Sequence, residues 1–260
     1  MNLKSKLLLA LLATSSAAFA QTAPAAETPE VTYNVGVVSQ YRYRGIAQTK
    51  GDAALQGGAD YANANGFYAG AWGSTIKWIK DASEGADYKQ PKGSLELDLY
   101  AGYKFEAAGV AYDVGYLRYE YVGNTYKDAA PAANVNANTD EVYGAATYGV
   151  FTAKYSHAVS NLFGWSGSRN SHYVDLSANF DLGNGYSLVP HAGRQVIEGA
   201  NHGYSYNDYA LTLNKDLGNG LSASVAAIAT SGKKEVFETT SKSLYNTAKD
   251  AVVVGVKYSF

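Results

Sequence analysis

At 260 residues the chain has the length of one large domain or two small ones, and a formal net charge of −2 gives no basic surface for a nucleic-acid partner. It contains no cysteine, which removes disulfide frameworks, thiolate metal sites, iron–sulfur clusters and cysteine nucleophiles together. The 27 glycines and 23 tyrosines stand beside five prolines and a mean hydropathy of −0.22, a composition foreign to a bundle of membrane helices.

In chain order, Lys4 and Lys6 precede an apolar run from Leu7 to Ala13, and Ala18-Phe19-Ala20 before Gln21 has the form of a cleavage site. Residues 1–20 therefore read as a secretory signal, because the apolar run is shorter than the roughly 20 residues a helical span requires. Residues 21–30, QTAPAAETPE, have no periodicity and read as a short disordered periplasmic tail.

From Val31 to Phe260 the dominant signal is alternation. Leu95, Leu97, Leu99, Ala101, Tyr103 and Phe105 share one face of a run whose other face carries Ser94, Glu96, Asp98, Tyr100, Gly102 and Lys104. Similar runs predict strands at 31–44, 53–62, 67–78, 94–105, 110–121, 140–149, 150–159, 171–180, 186–197, 206–215, 221–230 and 251–260. Each is about ten residues, enough to cross a bilayer at the usual tilt. Tight Gly-bearing links at 63–66, 106–109, 181–185 and 216–220, with a fifth near Gly149, alternate with longer polar stretches at 45–52, 79–93, 122–139, 160–170, 198–205 and 231–250. The expected fold is all-β: a transmembrane antiparallel β-barrel of about 12 strands, with 10 and 14 as the neighbouring counts, short periplasmic turns and longer extracellular loops. The strand at 67–78 leaves its orientation open, since Tyr68, Trp72 and Trp78 fall on one parity and Phe67, Ala69 and Ala71 on the other.

A soluble sandwich also alternates, so lipid must be argued separately. Tyrosines gather near strand ends, at Tyr41 and Tyr43, at Tyr100 and Tyr103, and at Tyr116, Tyr119 and Tyr121, and such rings suit interfacial girdles. The opposite faces carry ionisable groups in mid-strand, including Asp60, Asp113, Asp175 and Lys257, which fits a wet lumen better than a dry core. By parity Glu96 and Asp98 point inward, Arg42 and Arg44 project inward from the outer end of the first strand, and His191 and Asp208 join them as candidate pore-lining groups. Acidic and basic walls facing each other across an open path would form a constriction. Pro190 is awkward in any closed barrel, and a bulge or ladder defect is expected there.

The chain ends on an aromatic, with Tyr258 and Phe260 on the apolar face. This resembles the closing strand by which the insertion machinery of Gram-negative outer membranes recognises its barrels. The stretch SQYRYRGIAQTKGDAALQGGADYANANGFYAGAWGS at 39–74 and LELDLYAGY at 95–103 are similar to the TorF-type porin family, with Ala53 standing where proline is common. That resemblance implies a channel in the cell outer membrane, reached by export through the periplasm.

No catalytic constellation emerges. Ser156 and Ser171 are adjacent to His157 and His172, so on a strand each pair points to opposite faces, and His202 falls in a loop. No catalytic residue, metal or cofactor is expected. The expected function is passive diffusion of small hydrophilic solutes, with the outer-membrane lipid bilayer and the insertion machinery as partners and no nucleic acid. The rival readings are a non-conducting barrel whose extracellular loops serve binding or envelope stabilisation, and an exported β-sandwich.

Overall fold

The computed structural model describes residues 30–82, 91–128, 135–238 and 244–260; the predicted signal and all but the last residue of the predicted tail lie outside them. Twelve antiparallel strands form the wall: β1 (Glu30–Val38), β2 (Ala54–Ala62), β3 (Phe67–Thr75), β4 (Leu95–Ala107), β5 (Val110–Tyr121), β6 (Thr139–Tyr148), β7 (Phe151–Ala158), β8 (His172–Ala178, resuming at Phe180–Gly183), β9 (Tyr186–Val196), β10 (Tyr206–Gly218), β11 (Leu221–Thr230) and β12 (Ala251–Ser259). Each pairs with its neighbour in sequence, and β12 pairs with β1 from Asn34↔Ser259 to Val38↔Gly255, so no edge is left unpaired. The backbone N–H and C=O of Tyr33 and Phe260 exchange hydrogen bonds at 2.8 and 2.9 Å, fastening the seam at the last residue.

The alternation has a single physical outcome. Val35, Val37, Leu55, Leu99, Leu176, Leu211, Val252 and Val254 stand exposed on the outer wall, with Val252 at 64% and Leu211 at 49%. Their inward neighbours are buried or half-buried. A sandwich would seal these stripes against a second sheet; here they stand on the exterior of a closed wall, as hydrocarbon-solvated strands do. In β3, Phe67 and Ala69 face out, whereas Tyr68 and Trp72 face in and Ser74 is buried, which settles the orientation of that strand.

Two expectations need correction. The first strand ends at Val38, not at residue 44: after Ser39 donates to the Val254 carbonyl, the chain leaves the wall and enters the lumen. The tyrosines also divide. Tyr103 and Tyr116 face outward, but Tyr41, Tyr43, Tyr100, Tyr119 and Tyr121 are buried inside the barrel. The inner rings explain the paired abundance of Gly and Tyr. Tyr68 lies over Gly102, Tyr100 over Gly70 and Tyr143 over Gly115, each directly across a strand pair, where any Cβ would collide with the ring.

At Pro190 the ladder between β8 and β9 holds Ser177↔His191, drops two pairs and resumes in register at Phe180↔Leu188. Pro190, which has no N–H to donate, stands opposite Ala178, the first of the two dropped pairs, and the strand breaks at the next residue, Asn179. The Asn179 N–H turns instead to the Val150 carbonyl at 2.9 Å.

Candidate functional site: a hairpin within the lumen

Inside the barrel, residues 39–53 form a small antiparallel hairpin, Arg42↔Ala47 and Tyr43↔Ile46, whose tip is Arg44-Gly45. Both tip residues have positive φ, 46° and 78°, as a two-residue primed turn requires. Gly45 also presses against the wall: a Cβ there would sit 2.7 Å from Asp208 Cβ and 3.3 Å from Thr230 Cβ. Gly45→Ala should therefore lower the stability of the seated hairpin by about 1–2 kcal/mol from the backbone alone, and further from the clash. A fall in the temperature at which the folded band disappears from a heat-modifiability gel would register it.

Arg44 is the centre of the arrangement. Its guanidinium grips Glu141 of β6 with both nitrogens, at 2.9 and 2.7 Å, and donates to Gln195 Oε1 of β9 at 2.7 Å. Its plane lies 4.3 Å from the centre of the Tyr173 ring and 4.8 Å from that of Tyr43. Burial opposes its charge, but Glu141 more than offsets this and holds the guanidinium pKa well above its ordinary value. Glu141 also accepts from the Tyr119 hydroxyl at 3.1 Å, and Tyr119 meets the Tyr43 hydroxyl at 2.5 Å.

Arg42 does a different job. It donates to Gln40 Oε1 at 3.0 Å and to the carbonyls of Gly45, Thr247 and Lys249 at 2.8, 3.3 and 2.6 Å, lashing the hairpin to the segment before β12. On the other side Tyr41 donates to Glu96 Oε1 at 3.2 Å, next to buried Asp98. Burial, with Glu96 and Asp98 adding to it, pushes the Tyr41 phenol well above its ordinary range, so it stays a neutral donor.

The remaining expected residues fall into two groups. His191, Asp175 and Asp208 stand together: His191 Nε2 is 2.9 Å from Asp175, Nδ1 is 3.6 Å from Asp208, and the Tyr173 hydroxyl donates to Asp208 at 2.9 Å. Asp60 and Asp113 lie nearer the turn end, bonded to the hydroxyls of Tyr100 and Tyr68, with Lys154 4.0 Å above the Tyr143 ring. There Asp60, Lys104 and Lys257 remain partly exposed, whereas Tyr41, Arg42, Glu96, Tyr119 and Glu141 at the hairpin level are almost completely buried. The lumen is thus packed at its loop half and wetter toward its turns.

Arg42 and Arg44 lie inside, as their parity predicts, but on an inserted hairpin and not at the outer end of the first strand. Glu141 is not among the expected residues, although it alternates with Tyr143 and Ala145 just as Glu96 alternates with Asp98. Tyr43, Tyr119, Tyr173 and Gln195 gave no charge signal at all. Among the described residues no cluster of His, Asp and Glu has the form of a metal site. Ser156 is buried inward while His157 lies on the outer face, paired with His172 across β7 and β8.

The fold and its interior define a class: a closed twelve-stranded membrane-type β-barrel with an ionic lumen and an inward-folded loop. Within it, the chain belongs to the family described as bacterial protein of unknown function (Gcw_chp), whose model matches residues 22–260. No curated protein matches the chain. Among solved structures, the KdgM porin aligns with a TM-score of 0.51 at 10% identity, covering 88% of this chain and 98% of its own. An outer membrane channel from Pseudomonas putida F1 aligns at 0.49 and 10% identity, covering 91% and 96%.

Proposed function

We propose that the protein is an outer-membrane channel for passive diffusion of small hydrophilic solutes, porin-like in the manner of the TorF-type family that residues 39–74 resemble. One observation carries this reading: Asp60, Lys104 and Lys257 occupy the inner wall within strands and remain partly exposed. Ionisable groups at that depth need water, and water there is the start of a path. Arg42, Arg44, Asp60, Glu96, Asp98, Asp113, Asp175, His191 and Asp208 line or bound it, with the hairpin as its constriction. Export through the periplasm would deliver the chain to the insertion machinery, with Tyr258 and Phe260 as its signal. Purified protein in planar bilayers should give stepwise conductance; protein that inserts, shifts on boiling and never conducts would overturn the proposal.

A second reading has its own observation. The near-complete burial of Tyr41, Arg42, Tyr119 and Glu141 suits a plugged barrel whose loops do the work. The same recordings separate the two. Phe260 offers a further check: its ring stacks at 5.7 Å on Tyr33 and 5.6 Å on Tyr258. Phe260→Ala should reduce the heat-modifiable fraction in cell envelopes several-fold, while protein refolded in detergent still forms the barrel.

A further inference from the structure

Above the hairpin, at the loop end, lies a cavity of about 240 Å³. Trp78, Tyr121, Tyr126, Phe163, Trp165 and Phe237 line it, and Tyr43 and Gln48 of the hairpin contribute to its lining. The rings brace one another edge to face: Trp78 lies 5.2 Å from both Tyr121 and Tyr126, at 89° and 61°, and Phe163 lies 5.5 Å from Tyr43 at 80°. Such a wall is pre-formed and presents π faces at fixed angles.

The charge of this lining is one-sided. Among the described residues it includes two carboxylates, Asp81 and Glu238, and no lysine or arginine. Each carboxylate has one lysine within ion-pair range, distant at Asp81 and largely exposed at Glu238. Lys50 approaches Asp81 Oδ2 only to 3.9 Å, and that oxygen, nearly inaccessible, accepts no hydrogen bond among the described residues. Lys234 reaches Glu238 at 3.4 Å on an open surface. The nearby guanidinium of Arg44 is committed to Glu141. The volume is below the roughly 300 Å³ at which pockets for drug-sized ligands begin, so the occupant is small.

From aromatic faces, two loosely paired carboxylates and this size, we infer that the cavity binds a small organic cation of the alkylammonium class, its charge shared between the ring faces and Asp81 and Glu238. A methylated ammonium fits best, because it sheds water readily and needs no directed hydrogen bonds. The inference goes beyond the channel reading and does not depend on it, since a cation can occupy this cup whether or not the lumen below conducts.

Two of the chain's three tryptophans, Trp78 and Trp165, line the cavity, so intrinsic fluorescence of the folded full-length protein in detergent reports occupancy without any current being measured. Choline should change that fluorescence saturably, and 3,3-dimethylbutan-1-ol, its uncharged isostere, should bind at least about tenfold more weakly. Asp81→Asn combined with Glu238→Gln should narrow that difference, with folding verified by the gel shift on boiling. The comparison of the two ligands on the unaltered protein needs no variant. Equal binding of the isostere, tighter binding of glucose or glutarate, or no saturable change with choline would each overturn the inference. Failure to conduct in bilayers would leave this result standing.

Discussion

Replacing residues 42–47 by Asn-Gly should raise single-channel conductance several-fold and abolish the constriction at the loop half of the lumen. The geometry makes the excision clean. Tyr41 and Gln48 already meet at the base of the hairpin, where the Gln48 N–H donates to the Tyr41 carbonyl at 2.8 Å, so a two-residue turn can join them. The barrel ladder is untouched, because β1 ends at Val38 and β2 begins at Ala54. Excision does strand Glu141 without its guanidinium, so the variant should also carry Glu141→Gln to avoid an unpaired buried carboxylate. Planar-bilayer recording beside the parent protein provides the measurement. An unchanged conductance would mean that the hairpin does not restrict flow, and the barrier would then lie elsewhere along the lumen or in the loops.

Why the sequence concealed this hairpin is instructive. The period of two that located twelve strands is a property of the wall, and it locates β5 and β11 to the residue because their ends coincide with changes of face. From Gln40 to Ile46 the pattern continues to alternate, with Tyr41 and Tyr43 against Arg42 and Arg44, so no break in periodicity marks the point where the chain leaves the wall. The available mark was local: Arg44-Gly45 is a two-residue turn at the point where the strand read at 31–44 gives way to the polar stretch at 45–52. Tyrosine was misleading for a related reason. A phenol is amphipathic, and the same residue serves an interfacial girdle at Tyr116 and a buried hydrogen-bond network at Tyr119 three positions later. Charge was more faithful, since a carboxylate in mid-strand cannot face lipid. That is why Glu96, Asp98, Asp113, Asp175 and Asp208 were legible as inward groups. Their partners were not, because Arg44 meets Glu141 across 97 positions of sequence and only barrel closure brings them together.

The Arg44–Glu141 pair gives the second large effect. Arg44→Met removes the only cation in contact with Glu141 among the described residues and leaves a carboxylate buried to 1% exposure, held by the Tyr119 hydroxyl alone. Breaking such a pair from one side costs about 3–5 kcal/mol, far more than a surface ion pair would. The variant should therefore lose its folded gel band at a markedly lower temperature and lower urea concentration than the parent. Arg44→Met with Glu141→Leu removes both charges and should recover most of that loss, since a well-packed apolar pair of similar volume often equals a buried ion pair. The rescue is the discriminating result. If the double variant were as unstable as the single one, Arg44 would matter through its contacts with Gln195, Tyr173 and Tyr43 rather than through Glu141. If neither variant lost stability, the hairpin would be seated by Arg42 and its carbonyl partners, and the lumen would tolerate an uncompensated carboxylate because water reaches it from the turn end.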